Sequence, residues 1–202
     1  MPWWALATSV AVFAVSIAYG AFAGSSEGTM ISQVIVSGTF VATGLVAWTR
    51  RPDNRMGLLM VLFGWCFMAI AFTKPVIPAL VPVGLAGFVV SGSLLGYVML
   101  AYPSGELRTT ANRLLIAGCA IGIGVPRLVR LLATDAMPSG SANTNPLWLL
   151  RDPGILAVTQ PLPYILDLLV IGAFLVVVVV RWQGASGARS SPMGSRRSSG
   201  IV

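Results

Sequence analysis

Chemistry needs groups that can carry a proton, attack a bond or hold a metal, and few residues of this chain qualify. Its 202 residues contain no histidine, two cysteines and six carboxylates. Histidine is the commonest general base, so that route to acid–base catalysis is closed. No Walker loop, GxGxxG, Ser-His-Asp set or HExxH occurs, and no cluster has metal-ligand spacing. The expectation is a protein that is not an enzyme and binds no cofactor or metal. Cys66 and Cys119 lie about ten and five residues from the same end of their apolar runs. At about 1.5 Å per residue they differ in depth by roughly 7 Å, near the upper limit for a bridge. They read as small buried apolar residues.

One constellation of charge stands out. Arg127 and Arg130 close one apolar run, and Asp167 opens the next. Ionisable groups at membrane depth are costly and usually pair or face a cavity. An arginine–aspartate clamp is the leading reading. A ligand or ion site and unpaired snorkelling side chains are the alternatives.

Composition gives the scaffold that holds these residues. Hydrophobic residues make up 56% of the chain and charged residues only 9%, against about 25% charged in a soluble domain. A surface so poor in charge has lipid as its solvent. Six apolar runs reach spanning length, at about 3–23, 30–48, 56–73, 83–101, 114–133 and 164–180. The fold class is all-α, a polytopic bundle of about six transmembrane helices in one domain, 1–182. Residues 183–202, rich in Gly, Ser and Arg, are expected to form a disordered basic tail. Ala21-Phe22-Ala23 faintly resembles a signal-peptidase site, but no basic residue precedes the run, so a retained first helix is expected. Pro126 should kink or end the fifth run. The middle of the long loop 134–163 should form a short amphipathic piece on the membrane surface.

Two connecting turns share a chemistry. Arg50-Arg51-Pro52-Asp53-Asn54-Arg55 joins runs two and three, with Pro52 suited to position i+1 and Asp53 and Asn54 to a turn or N-cap. Tyr102-Pro103-Ser104-Gly105-Glu106-Leu107-Arg108, closing at Arg113, echoes it after run four, with Pro103 at i+1 and Gly105 at i+3. The formal net charge is +7, and its distribution is uneven. Arg50, Arg51, Arg55, Arg108, Arg113, Arg181, Arg189, Arg196 and Arg197 come after runs two, four and six. Lys74, Arg127, Arg130 and Arg151 fall on the other side. The positive-inside rule then puts both turns, the N-terminus and the tail in the cytoplasm. No basic face with interleaved aromatics exists, so nucleic acid is not an expected partner. The lipid bilayer is. GxxxG spacings at Gly20/Gly24, Gly92/Gly96 and Gly118/Gly122 suit packing within the bundle, or else a homodimer.

The stretch Arg50-Arg51-Pro52-Asp53-Asn54-Arg55-Met56-Gly57-Leu58-Leu59 resembles the "RRPxNxxGxLL" turn in the membrane region of many actinobacterial sensor histidine kinases. Tyr102-Pro103-Ser104-Gly105-Glu106-Leu107 is similar to the "FPxGxL" turn found two helices later there. The resemblance covers about 38–180. It implies a multi-helix sensor region in the cell (inner or plasma) membrane, serving a two-component signalling system beside a cytoplasmic kinase or other signalling partner. No residue here matches a phosphoacceptor histidine or an ATP-binding domain, so kinase activity is not carried over. The input site expected from loop length and charge is the loop 134–163 with Arg127, Arg130 and Asp167. A small transporter or channel, with helices broken near Pro126 and at 76–82, and a structural subunit are the rival readings.

The charge distribution makes a direct prediction. Reporter fusions within 50–55 and within 102–108 should report the cytoplasm, and fusions near Glu27 and Val76 the opposite face. The reverse pattern would overturn the topology.

Overall fold

A computed structural model of the chain describes residues 3–74, 76–101, 107, 109–133, 149, 154, 157 and 161–187. Pro103, Gly105, Arg108, the loop 134–148 and the tail beyond 187 lie outside the described residues, as does the surface piece expected in that loop, Leu149 excepted. Among the described residues all regular structure is helical: α1 (Trp3–Phe22), α2 (Glu27–Arg50), α3 (Met56–Ala69), α4 (Val81–Ala101), α5 (Thr110–Ala133) and α6 (Leu162–Gly187). With the 3₁₀ turns that extend α3 and precede α4, five stretches are long and apolar enough to cross a membrane: Trp3–Phe22, Glu27–Arg50, Met56–Thr73, Pro78–Ala101 and Thr110–Ala133. The chain is an all-α, multi-pass integral membrane protein. Its internal contacts divide it into two units, Met1–Asp167 and Leu168–Val202. The first holds α1–α5 and the opening of α6; the second holds the rest of α6.

Each helix end has a local cause. Gly24, at φ 64°, closes α1 in the left-handed conformation, and the Ser25 N–H returns to the Gly20 carbonyl at 2.9 Å. Helix α2 starts at Glu27, three residues before the apolar run, because Ser26 caps it. The Ser26 hydroxyl accepts the Thr29 N–H, and Glu27 places a carboxylate in the positive first turn. Likewise α5 starts at Thr110, not 114, because Thr109 Oγ1 accepts the Asn112 N–H at 3.2 Å. Between α2 and α3, Arg51-Pro52-Asp53-Asn54 forms a tight turn with Pro52 at i+1. The Asn54 N–H bonds the Arg51 carbonyl at 3.0 Å, and Asn54 Oδ1 accepts the Met56 N–H at 2.9 Å. Helix α3 tightens to 3₁₀ over Ile70–Thr73 ahead of Pro75. Pro82 is tolerated in the first turn of α4, where its missing N–H has no partner to lose.

Of the two outcomes expected at Pro126, a kink or an end, the end does not occur, and α5 continues to Ala133 as its apolar run does. One expectation needs correction. Helix α6 runs from Leu162 to Gly187, so 183–187 are helical rather than disordered tail. No proline occurs between 163 and 192 to break the hydrogen-bond ladder, and a formed helix adds one bond per further residue.

The core is a set of backbone approaches at glycine. A Cβ on Gly44 would lie 2.8 Å from the Gly57 carbonyl oxygen, and one on Gly57 would lie 2.5 Å from the Trp48 nitrogen. On the same seam a Cβ on Gly64 would meet the Ser37 carbonyl at 2.9 Å. Helices α2 and α3 therefore touch backbone to backbone along three points. Helices α3 and α4 repeat the device. A Cβ on Gly87 would lie 2.7 Å from the Cys66 carbonyl oxygen, and a side chain on Gly84 would run into the backbone of Phe72 and Thr73. None of these five glycines belongs to the GxxxG pairs found by spacing. Gly57 and Gly64 are seven apart and Gly84 and Gly87 three apart, so each pair still shares a helix face. Of the spaced pairs, Gly20 sits near Met30 and Gly92 near Ile123, while Gly118 and Gly122 meet nothing within 4 Å among the described residues.

Helix α1 lies antiparallel to α2. Trp4 packs edge-on against Trp48 at 5.8 Å, and a Cβ on Gly38 would meet the Phe13 ring at 3.8 Å. Ala5 joins Val41, Leu45 and Val61 in a buried cluster. Two polar contacts fix α1 to α3 and to the segment beyond it. The Trp65 indole N–H donates to Ser9 Oγ at 2.9 Å. The Tyr19 hydroxyl donates to the Lys74 carbonyl at 2.5 Å and accepts the Ile77 N–H at 3.4 Å. Ser37, fully buried, has no hydrogen-bond partner for its hydroxyl among the described residues. The seam uses its small size.

Because interiors resist an added methyl, Gly57→Ala should destabilise the purified protein by about 1–3 kcal/mol, read as a lowered unfolding midpoint in detergent. Gly118→Ala and Ser37→Ala should leave the midpoint at or above wild type. Equal effects at Gly57 and Gly118 would contradict the seam.

Candidate functional site

The charge constellation read from the sequence is assembled around Arg127. Its Nη2 donates to Asp167 Oδ2 at 2.5 Å, and its Nη1 to the Ile123 carbonyl at 3.0 Å. The guanidinium carbon stands 4.3 Å from the centroid of the Phe88 ring. One side chain is thus held by an opposite charge, a backbone acceptor and an aromatic face. Both partners are mostly covered, with side-chain exposures of 16% for Arg127 and 30% for Asp167.

Local sequence explains the placement. Pro126 is buried in the helix and lacks the N–H that would bind the carbonyl four residues back. The carbonyl concerned is that of Gly122. The Arg127 side chain bonds the next one along, that of Ile123, which in an α-helix is also the acceptor for the Arg127 backbone N–H. Helices α4 and α5 run antiparallel, with Gly124 beside Val89, and this register carries Phe88 to Arg127. Sequence reasoning missed Phe88 and the Ile123 carbonyl. Phe88 has no local signal, since its contact depends on the pairing of α4 with α5; the Ile123 carbonyl is one turn back on the same helix and was readable from the i−4 spacing. Arg130 lies one turn on and is half-buried.

The basic turns are a separate region. Arg50, Arg51, Pro52, Asp53 and Arg55 are exposed, and Asn54 is half-buried by its cap. Arg113 is exposed, and its Nη2 reaches the Leu107 carbonyl at 3.5 Å. Helix direction places 50–55 and the start of α5 at one end of the spans, and the Arg127–Asp167 pair at the other. The structure therefore does not bring the two groups of arginines together. Both cysteines are free thiols, Cys119 buried and Cys66 half-buried. Among the described residues no three His, Cys, Asp or Glu side chains come together as metal ligands.

Comparison with protein-family models, with curated proteins and with solved structures finds no match. What the site can do therefore rests on its geometry. A paired, hydrogen-bonded arginine at a span end supplies no nucleophile. It supplies orientation, tying the last turns of α5 to α4 through Phe88 and to Asp167.

Exposed ion pairs contribute up to about 1 kcal/mol, and breaking a fully buried one costs about 3–5 kcal/mol. Arg127→Ala and Asp167→Ala should each fall between these limits, and the double variant should cost less than their sum. The swap Arg127→Asp with Asp167→Arg should recover part of the loss. Unfolding midpoints in detergent read all four, and strict additivity would mean the pair contributes nothing.

Proposed function

We propose that this chain is a non-catalytic sensing and anchoring module in a cell membrane, of the kind that serves a two-component signalling system. The observation that carries the reading is the construction of the turn 50–55. It presents Arg50, Arg51 and Arg55 to solvent, and it is closed rigidly between two helices in backbone contact at Gly44 and Gly57. A change in how α2 and α3 pack must move this basic turn, because no flexible linker intervenes. The opposite end of the spans carries the Arg127–Asp167 pair, a charge device whose making or breaking would bias the packing of α4 and α5. Input at that end and output at the basic end is the mechanism proposed, with a cytoplasmic kinase or other signalling protein as reader. The N-terminus and both basic turns would face the cytoplasm.

The resemblance of 50–59 and 102–107 to sensor-kinase turns supports the same reading. The transporter alternative loses one of its supports, since α5 continues through Pro126.

A chimera carrying this chain ahead of the catalytic region of a sensor kinase tests the proposal. Arg127→Ala and Asp167→Ala should each shift basal phosphorylation at least three-fold, and a lipid-facing change, Leu114→Ala, should not. Unchanged output from both variants in a folded, membrane-inserted chimera would overturn it.

A further inference from the structure

Helices α4 and α5 touch closely at Gly92–Ile123 and Val89–Gly124 but part to one side of that line. There they line an open groove of about 630 Å³ whose walls include Pro82, Ala86 and Val90 from α4, and Ala120, Gly124 and Leu132 from α5. Every residue lining it is apolar. Its position in the spans is specific. On α5 it runs from Leu132, beside the helix end at Ala133, to Ala120, next to the middle of Thr110–Ala133. On α4 it runs from Pro82, at the helix start, toward the middle at Val90. Twelve residue steps at about 1.5 Å make it roughly 18 Å long. Half the hydrocarbon core of a bilayer is about 15 Å. The groove is one leaflet deep, and it begins at the interface.

We infer that this groove holds one acyl chain of a phospholipid from the leaflet at the Arg127 end of the spans. Three observations decide among occupants. The lining offers no hydrogen-bonding side chain, so a polar ligand would be stranded. A helix about 10 Å across would need about twice the groove's volume over the same length, so a partner helix could seat only one edge. A single hydrocarbon tail matches both depth and lining, and leaves its phosphate at the interfacial level where Lys74, Arg127 and Arg130 outnumber Glu27 and Asp167 among the described charges. The floor of the groove carries Gly124, where a Cβ would already lie 3.3 Å from a Val89 methyl. Larger side chains on this face would fill the space the tail takes. This inference depends on the membrane placement of α4 and α5 and is independent of the signalling proposal.

The test uses the full chain in phosphatidylglycerol nanodiscs with a trace of phosphatidylglycerol bearing a photoactivatable diazirine in one tail. After illumination, label on peptides covering 82–90 and 120–132 should exceed that on the exposed α1 positions Val10 and Val15 at least five-fold. Ala86→Phe and Ala120→Phe should each reduce groove labelling at least five-fold while α1 labelling is unchanged. Leu114→Phe, on an exposed surface of α5, should behave as wild type. Should the filled variants fail to fold, mass spectrometry of wild-type protein washed in detergent gives the answer alone, with about one phospholipid retained per chain expected. Uniform labelling of all exposed positions, no retained phospholipid, or a photoactivatable free fatty acid that takes the groove against excess phospholipid would each overturn the inference.

Discussion

Helices in lipid gain nothing from hiding oily side chains from one another, because lipid tails are as apolar as leucine. What holds them is close approach, and close approach requires residues without bulk. Everything in the first unit depends on this constraint. At Gly44, Gly57 and Gly64 the backbones of α2 and α3 meet directly, and Gly84 and Gly87 bring α4 equally near α3. The turn at 51–54 can be short because the helices it joins are already in contact. Large side chains pack around these seams: Phe40 lies 4.3 Å from Phe63 across the α2–α3 line, and Met68 is buried.

The α4–α5 contact is looser and is organised differently. Gly92 allows ordinary contact and Gly124 a tighter one with a Val89 methyl, but neither meets backbone, and the helices diverge enough to leave a groove. Here a charged pair takes over the task of orientation. Arg127 bonds Asp167 and its own helix's carbonyl at Ile123, and lies over Phe88. In a low-dielectric setting such a pair is directional where dispersion is not. The protein thus uses two kinds of helix contact, a rigid glycine seam near its N-terminal half and an electrostatic one further along.

How much of this was legible in the sequence differs by kind of signal. The all-α class and approximate helix limits come from apolar runs, since lipid leaves little else for an apolar run of about 20 residues to do; of the six runs, five are helices long and apolar enough to cross a membrane among the described residues. Helix starts were misplaced at α2 and α5 because hydropathy ignores caps; Ser26 and Thr109 extend each helix into polar sequence. The turn at 51–54 was readable because proline and asparagine have narrow conformational roles. The seam glycines were not, because fixed four-residue spacing is one pattern among several that put two glycines on a face. Arg127 and Asp167 stood out as charges in an oily sequence. Phe88 could not, because an aromatic in a span says nothing of its neighbour until the register of α4 on α5 is known.

The contact of Tyr19 with Lys74 and Ile77 bears on biogenesis. Its hydroxyl donates to a carbonyl 55 residues further along the chain. During synthesis the first helix must therefore wait in the bilayer, unanchored at that end, until the third has been threaded across and its far end has emerged. The α2–α3 seam at Gly44, Gly57 and Gly64 lies before that point in the chain and can begin to close earlier. Insertion of α1 and its final docking are separate events, ordered by the ribosome's progress through α3.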